Sequence, residues 1–126
     1  MTNEEKKELL IALCDYHPYG VIVEVEGYDI SKLKGIDNGT VSTERGINYP
    51  LRLVKPFLRP MESMTEEEKY IWHSKMKYAG YFINYKYYDT VASFDYLNSI
   101  HVDYRGLIPK GLAIEAKEGM YNLKKS

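Results

Sequence analysis

The chain has 126 residues, 17 Lys and Arg against 18 Asp and Glu, and a formal net charge of −1. That length supports one core without metal or disulfide staples, and the charge argues against a protein built to hold nucleic acid by bulk electrostatics. The single cysteine, Cys14, excludes an intrachain disulfide, and no apolar run approaches the ~20 residues of a bilayer span.

The opening "MTNEEKKELL" is acidic and lacks the apolar centre of a secretory signal, so the cytoplasm is the expected compartment. Thr2 and Glu5 have capping-box spacing, and Leu9, Leu10, Leu13 and Cys14 follow at helical intervals, which predicts a helix over 3–15. Cys14 reads there as a small buried hydrophobe. "YHPYG" ends the helix, since the residue before Pro18 disfavours it and Gly20 permits a sharp turn.

Alternation of Val21, Val23 and Val25 with Ile22, Glu24 and Glu26 predicts a strand with one wetter side. Gly27 turns the chain into a second strand, 28–36, and "DNG" at 37–39 is a strong hairpin signal. "TVSTE" is a third strand and "YPLRLV" a fourth, which gives a short antiparallel meander, half-barrel-like in outline. "KPFLRPMESM" reads as an exit segment, stiffened by Pro56 and Pro60, that turns the chain from sheet to helix. Thr65 and Glu68 form a second capping box. Trp72, Met76, Ala79 and Ile83 follow at spacings of four, three and four. Helix is expected through about residue 78. Residues 80–88 fit either periodicity, the longer helix slightly better. "DTVASFDYLNSI" predicts a further helix over 89–100, with Asp89 as N-cap and Val91, Phe94 and Leu97 facing inward.

The closing stretch "RGLIPKGLAIEA" offers Leu107, Ile108, Leu112 and Ile114 as an apolar plug between two glycine bends, and "YNLKKS" reads as a frayed tail. The expected fold is therefore α+β: an N-terminal helix, a meander, two helices and a C-terminal closing segment. A single domain over 1–126 is expected, with helix and meander in 2–60 and the helical and docking parts in 61–126.

Three blocks, "LCDYHPYGVIVEV", "KPFLRPMESMTEEE" and "DYLNSIHVDYRGLIPKGLAIEAKEGMY", resemble those of a group of small uncharacterised proteins from gut Bacteroidetes genomes, prophages and phages. That group carries "KPYLRPMSSMTEEE"-like and "WLN…HFDYRGLI…GLA"-like blocks. This chain departs from it in having Tyr96 for the more usual Trp, and its stretch 78–88 lies where the group is variable. The resemblance implies a bacterial or phage setting, with a regulator or counter-defence binder as the corresponding expectation, and supplies no chemistry.

Among candidate sites, His101, Asp103 and Arg105 stand two apart and suggest a base, an orienting carboxylate and a charge stabiliser. No nucleophile accompanies them, and working triads draw on separate elements. The structural reading is therefore preferred: Asp103 pairs with Arg105 or caps a turn, and His101 ends the preceding helix. Cys14 and His17 have C-x-x-H spacing, but structural zinc needs four convergent ligands, so no metal and no cofactor is expected. No phosphate-binding glycine motif, GxSxG elbow or HExxH pair is present.

The 13 tyrosines, against three Phe and one Trp, are the strongest compositional signal. Tyr joins an apolar ring to a polar tip and suits contact surfaces. Tyr78, Tyr81, Tyr85 and Tyr88 form a helical stripe with Lys75, Lys77 and Lys86 among them. The expectation is a non-enzymatic interaction protein that binds a protein partner or itself as a homodimer through this region. The alternative is a nucleic-acid or nucleotide binder using the same Tyr and Lys residues over 75–88.

Overall fold

The computed structural model describes residues 1–81 and 86–121, the side chains of 76–91 excepted. Helix α1 spans Asn3–Tyr16 and opens with the capping box, Thr2 and Glu5 exchanging side-chain-to-backbone hydrogen bonds. Its inward face is Leu9, Ala12, Leu13 and Tyr16. Cys14 falls on the opposite side of the helical wheel from Ala12 and Tyr16, and is exposed rather than buried.

Strands β1 (Ile22–Val25), β2 (Asp29–Asp37) and β3 (Thr40–Thr43) follow as antiparallel neighbours. Asn38 and Gly39 take φ of +48° and +78°, which makes the two-residue hairpin that Asn-Gly favours. "YPLRLV" is two pieces rather than one strand. Tyr49–Pro50 forms the edge strand β4, a helical turn over Leu51–Leu53 carries the chain from β3 across to β1, and β5 runs Val54–Leu58 in the same sense as β4. Buried Leu51 anchors that turn.

The expected exit segment is thus partly sheet. β5 pairs antiparallel with β1, and its far side takes β6 (Ile114–Glu115) in parallel. The result is a mixed six-stranded sheet ordered β4-β3-β2-β1-β5-β6. Pro56 sits inside β5 opposite Val23. The Glu26 N–H donates to the Leu53 carbonyl, and rungs alternate along an antiparallel pair, so Pro56 falls at a position where no rung to β1 is made.

Helices α2 (Glu66–Tyr81) and α3 (Lys86–Ser99) pack chiefly on one another. Asp89 lies within α3 rather than before it, because the helix begins three residues earlier. Phe94 is 40% exposed, an inward position in expectation only. The buried face of α3 is Ser93, Leu97 and Asn98, and Phe94 rests its ring on Tyr104 instead. Leu97, Ile100, Val102 and Met64 form a small cluster edged by Trp72 and Tyr96. The main core combines α1, the inner face of the sheet (Val21, Val23, Val25, Leu33, Val41, Val54) and, of the expected plug, Leu107 and Leu112 with Ile108 packed against them. Ala113 joins it, while Ile114 is half-buried in β6. Tyr104 touches both clusters. The class is α+β, and no helix among the described residues is long and apolar enough to cross a membrane.

Leu107 is fully buried among α1 and sheet residues. Leu107→Ala should therefore cost about 3 kcal/mol and lower the melting temperature by roughly 10 °C in calorimetry. An unchanged transition would place the plug outside the core.

Candidate functional site

Helix α3 ends in a Schellman turn: the Val102 N–H donates to the Leu97 carbonyl and the His101 N–H to that of Asn98. Val102 and Leu97 supply the accompanying apolar contact. The left-handed position, normally Gly, is His101 at φ +59°. Only 5% of His101 is exposed. Its Nε2 lies 2.6 Å from the Tyr19 carbonyl, which accepts, so Nε2 carries the proton. Nδ1 is buried with no partner among the described residues. The ring stacks on Tyr121 at 3.8 Å with 13° between planes. Burial holds the imidazole below its ordinary titration range; the Tyr19 carbonyl opposes this, and nearby Arg59 adds to it.

Asp103 is equally committed. Its two carboxylate oxygens accept from the Leu107 and Ile108 amides, at 2.8 and 2.9 Å. Arg105 pairs with Asp15 on α1, not with Asp103, and lies over the Tyr104 ring. The trio therefore points three ways: to the turn before β1, into its own loop, and to α1. Tyr16 completes the docking by donating to the Val102 carbonyl at 2.5 Å, and burial raises the titration of its hydroxyl.

The residue that gathers most partners is Arg59, just after β5. Its main chain accepts from the Asp103 N–H and donates to the His101 carbonyl, both at 2.7 Å, so segment 101–103 runs parallel beside it. Its guanidinium grips Glu68 in a fork at 2.7 and 3.0 Å. The remaining donors reach the Ser63 hydroxyl and carbonyl and the Ile100 carbonyl. All five N–H bonds are used. Both side chains are 13% exposed. Glu68 also accepts from the Thr65 amide, closing the capping box. Burial raises the Glu68 carboxyl, but the Arg59 and Thr65 hydrogen bonds outweigh it and hold the group below the usual carboxylate range.

An open cleft of about 290 Å³ adjoins this junction, between Arg59, Ser63, Lys117 and Tyr121. The guanidinium has no free donor to offer the cleft, whose other charged lining residues are Glu115, Lys117 and Glu118. Tyr121, expected in a frayed tail, is anchored. Its hydroxyl accepts from the Ile22 N–H at 2.8 Å and donates to the Phe57 carbonyl at 2.7 Å. Residues 122–126 lie outside the described residues.

Of the aromatic-basic set, Lys77, Tyr78 and Tyr81 fall in α2, and Lys86 and Tyr88 in α3. Tyr85 and all six side chains lie outside the described residues. The chain between Tyr81 and Lys86 holds their Cα atoms within about 18 Å. Lys75 places its ammonium 6.0 Å from the Tyr96 ring centre. Cys14 and His17 do not converge: His17 Nε2 is 2.8 Å from the Lys34 carbonyl. Among the described residues, no three His, Cys, Asp or Glu side chains gather as metal ligands. No family model, curated protein or solved structure matches the chain.

Arg59 and Tyr121 were the residues that sequence reasoning passed over. Arg59 had one visible signal, its place between an apolar run and a capping box. Tyr121 had none, because its partners are main-chain groups 99 and 64 residues away.

Removing one member of a buried ion pair strands the other, so Arg59→Ala should destabilise by about 3 kcal/mol. The Glu68 carboxyl titrates lower when folded than its ordinary 4.5, so its contribution is present above that value and is lost as pH falls through the folded one. Denaturant titrations between neutral and acidic pH should show a shallower acid loss for Glu68→Gln than for wild type. Asp103→Ala, which leaves two amides bare, should cost about 2 kcal/mol in the same assay, and Asp103→Asn should cost less.

Proposed function

We propose that this is a non-enzymatic interaction protein whose α2–α3 region, rich in tyrosine and lysine, binds a second copy or another protein. The observation that carries the reading is exposed aromatic surface on both helices. Tyr70 on α2 is 73% exposed and Phe94 on α3 is 40% exposed, while the two helices pack chiefly on each other. Tyr78 and Tyr81 continue α2, and Tyr88 lies near the start of α3. Rigid aromatic side chains give contact area at small entropic cost. The structural commitments of His101 and Asp103 support a reading without catalysis. The resemblance to bacterial and phage proteins makes a regulatory or counter-defence role the corresponding biological proposal.

A second reading rests on Lys75, Lys77 and Lys86 among the tyrosines: nucleic acid or nucleotide stacked on the rings and steered by the ammonium groups. The two readings differ in salt response. Sedimentation of the wild type should give a dimer that persists between about 50 and 200 mM salt, whereas binding to single-stranded nucleic acid would weaken steeply over that range. The fourfold change Tyr78→Ser, Tyr81→Ser, Tyr85→Ser, Tyr88→Ser should abolish association and leave the core unfolding transition in place. Undiminished dimerisation of that variant would overturn the assignment of this surface.

A further inference from the structure

We propose that residues 114–121 form a latch on the sheet that neutral His101 holds shut and protonated His101 releases. The argument starts from how little else holds the segment. β6 contributes two residues to the sheet, and the Ala116 N–H donates to the Leu58 carbonyl. The far end is held by Tyr121, whose hydroxyl lies between Ile22 and Phe57. Those two residues would form the next rung between β1 and β5, since Val23 faces Pro56. The phenol takes the place of that rung, and its ring covers His101.

A proton added to His101 goes to Nδ1, the buried atom without a partner. The new N–H finds no acceptor among the described residues, and the new charge adjoins Arg59 just after β5. Glu68, from α2, is already engaged by that guanidinium. Asp103, on the segment of His101 itself, has turned its carboxylate to the Leu107 and Ile108 amides. From the turn before β1 comes the Tyr19 carbonyl, which accepts from Nε2 in either state. The Tyr121 ring offers a cation some attraction through its face, but its oxygen is committed to the two strands.

Water can reach the imidazolium by one of two routes. On the other side the Schellman turn belongs to the second cluster through Leu97, Ile100 and Val102. The Tyr19 turn, itself exposed, is tied at both ends to Tyr16 and Val21, which are buried in the main core. Opening that side would pull on both clusters. The side toward Tyr121 is closed by a half-buried ring on a segment with few ties. Release of the segment is the smaller disruption. Burial lowers the folded titration of His101 from its ordinary 6.5, so the closed form is favoured above that value and loses ground as pH falls below it.

Hydrogen exchange of the full chain tests this, corrected for the pH dependence of intrinsic rates. At about one pH unit below the open-state value, protection of the Ala116 and Ile22 amides should fall about tenfold relative to neutral pH. The Leu33 amide, bonded to the Val21 carbonyl in the sheet, should keep its protection. His101→Asn stays neutral and tolerates the left-handed backbone, and should remove the pH dependence. His17→Asn and His73→Asn should retain it. Constant protection in the wild type, an equal fall in His101→Asn, or a parallel fall at Leu33 would each overturn the latch. Should His101→Asn fail to fold, a magnetic-resonance titration of wild-type His101 decides: a value at or above the ordinary one refutes the proposal, and a lower one supports it.

Discussion

The guanidinium of Arg59 is the point at which the sheet, the helical pair and the C-terminal crossing become one structure. Its main chain extends the sheet by pairing with His101 and Asp103, and its side chain binds the first turn of α2 and the last carbonyl region of α3. A lysine offers one charged nitrogen and three donors, so it cannot reproduce a fork on Glu68 while also reaching Ser63 and Ile100. Burying such a pair gains little net energy in general. What it gains is geometry: the direction of α2 relative to β5 is set by a planar, two-bond contact.

Much of the architecture was legible because it rests on local rules. Both capping boxes, the Val21–Val25 alternation, the Asn-Gly hairpin and the apolar plug each follow from spacing a few residues long. The failures share a cause as well. "KPFLRP" reads as an exit segment because Pro56 argues against an interior strand unless the register leaves its position free of a rung, and register is a property of the partner. "YPLRLV" reads as one strand because nothing in its spacing marks the turn over Leu51–Leu53. Phe94 was turned inward by periodicity, yet Tyr104, ten residues on, offered its ring a resting place at the surface. Cys14 was placed inside on composition, although the wheel through Ala12 and Tyr16 puts it outside.

The same division applies to the sites. The structural reading of His101, Asp103 and Arg105 was preferred on the lack of a nucleophile, and the structure gives each an occupation: a left-handed helix terminus, a pair of capped amides and an ion pair with Asp15. That Arg105 would choose Asp15 over Asp103 was not legible, since Asp103 is closer in sequence and Asp15 arrives from the other end of the chain. His101 occupies a backbone position where glycine is the ordinary choice. Its backbone strain is offset by the Tyr19 and Tyr121 contacts, which a glycine would forgo.

The ties from the first helix and β1 to the C-terminal stretch join residues far apart in the chain: Glu8 to Lys110, Asp15 to Arg105, Tyr16 to Val102, Ile22 to Tyr121. Each encloses most of the polypeptide in its loop, and such closures are entropically late events. During synthesis the N-terminal half therefore emerges with α1 against an apolar sheet face whose remaining cover, Leu107, Leu112 and Ala113, has not yet been made. It must remain in that state until the final quarter of the sequence has been made, and this interval is when the nascent chain is most open to chaperones and to mispairing.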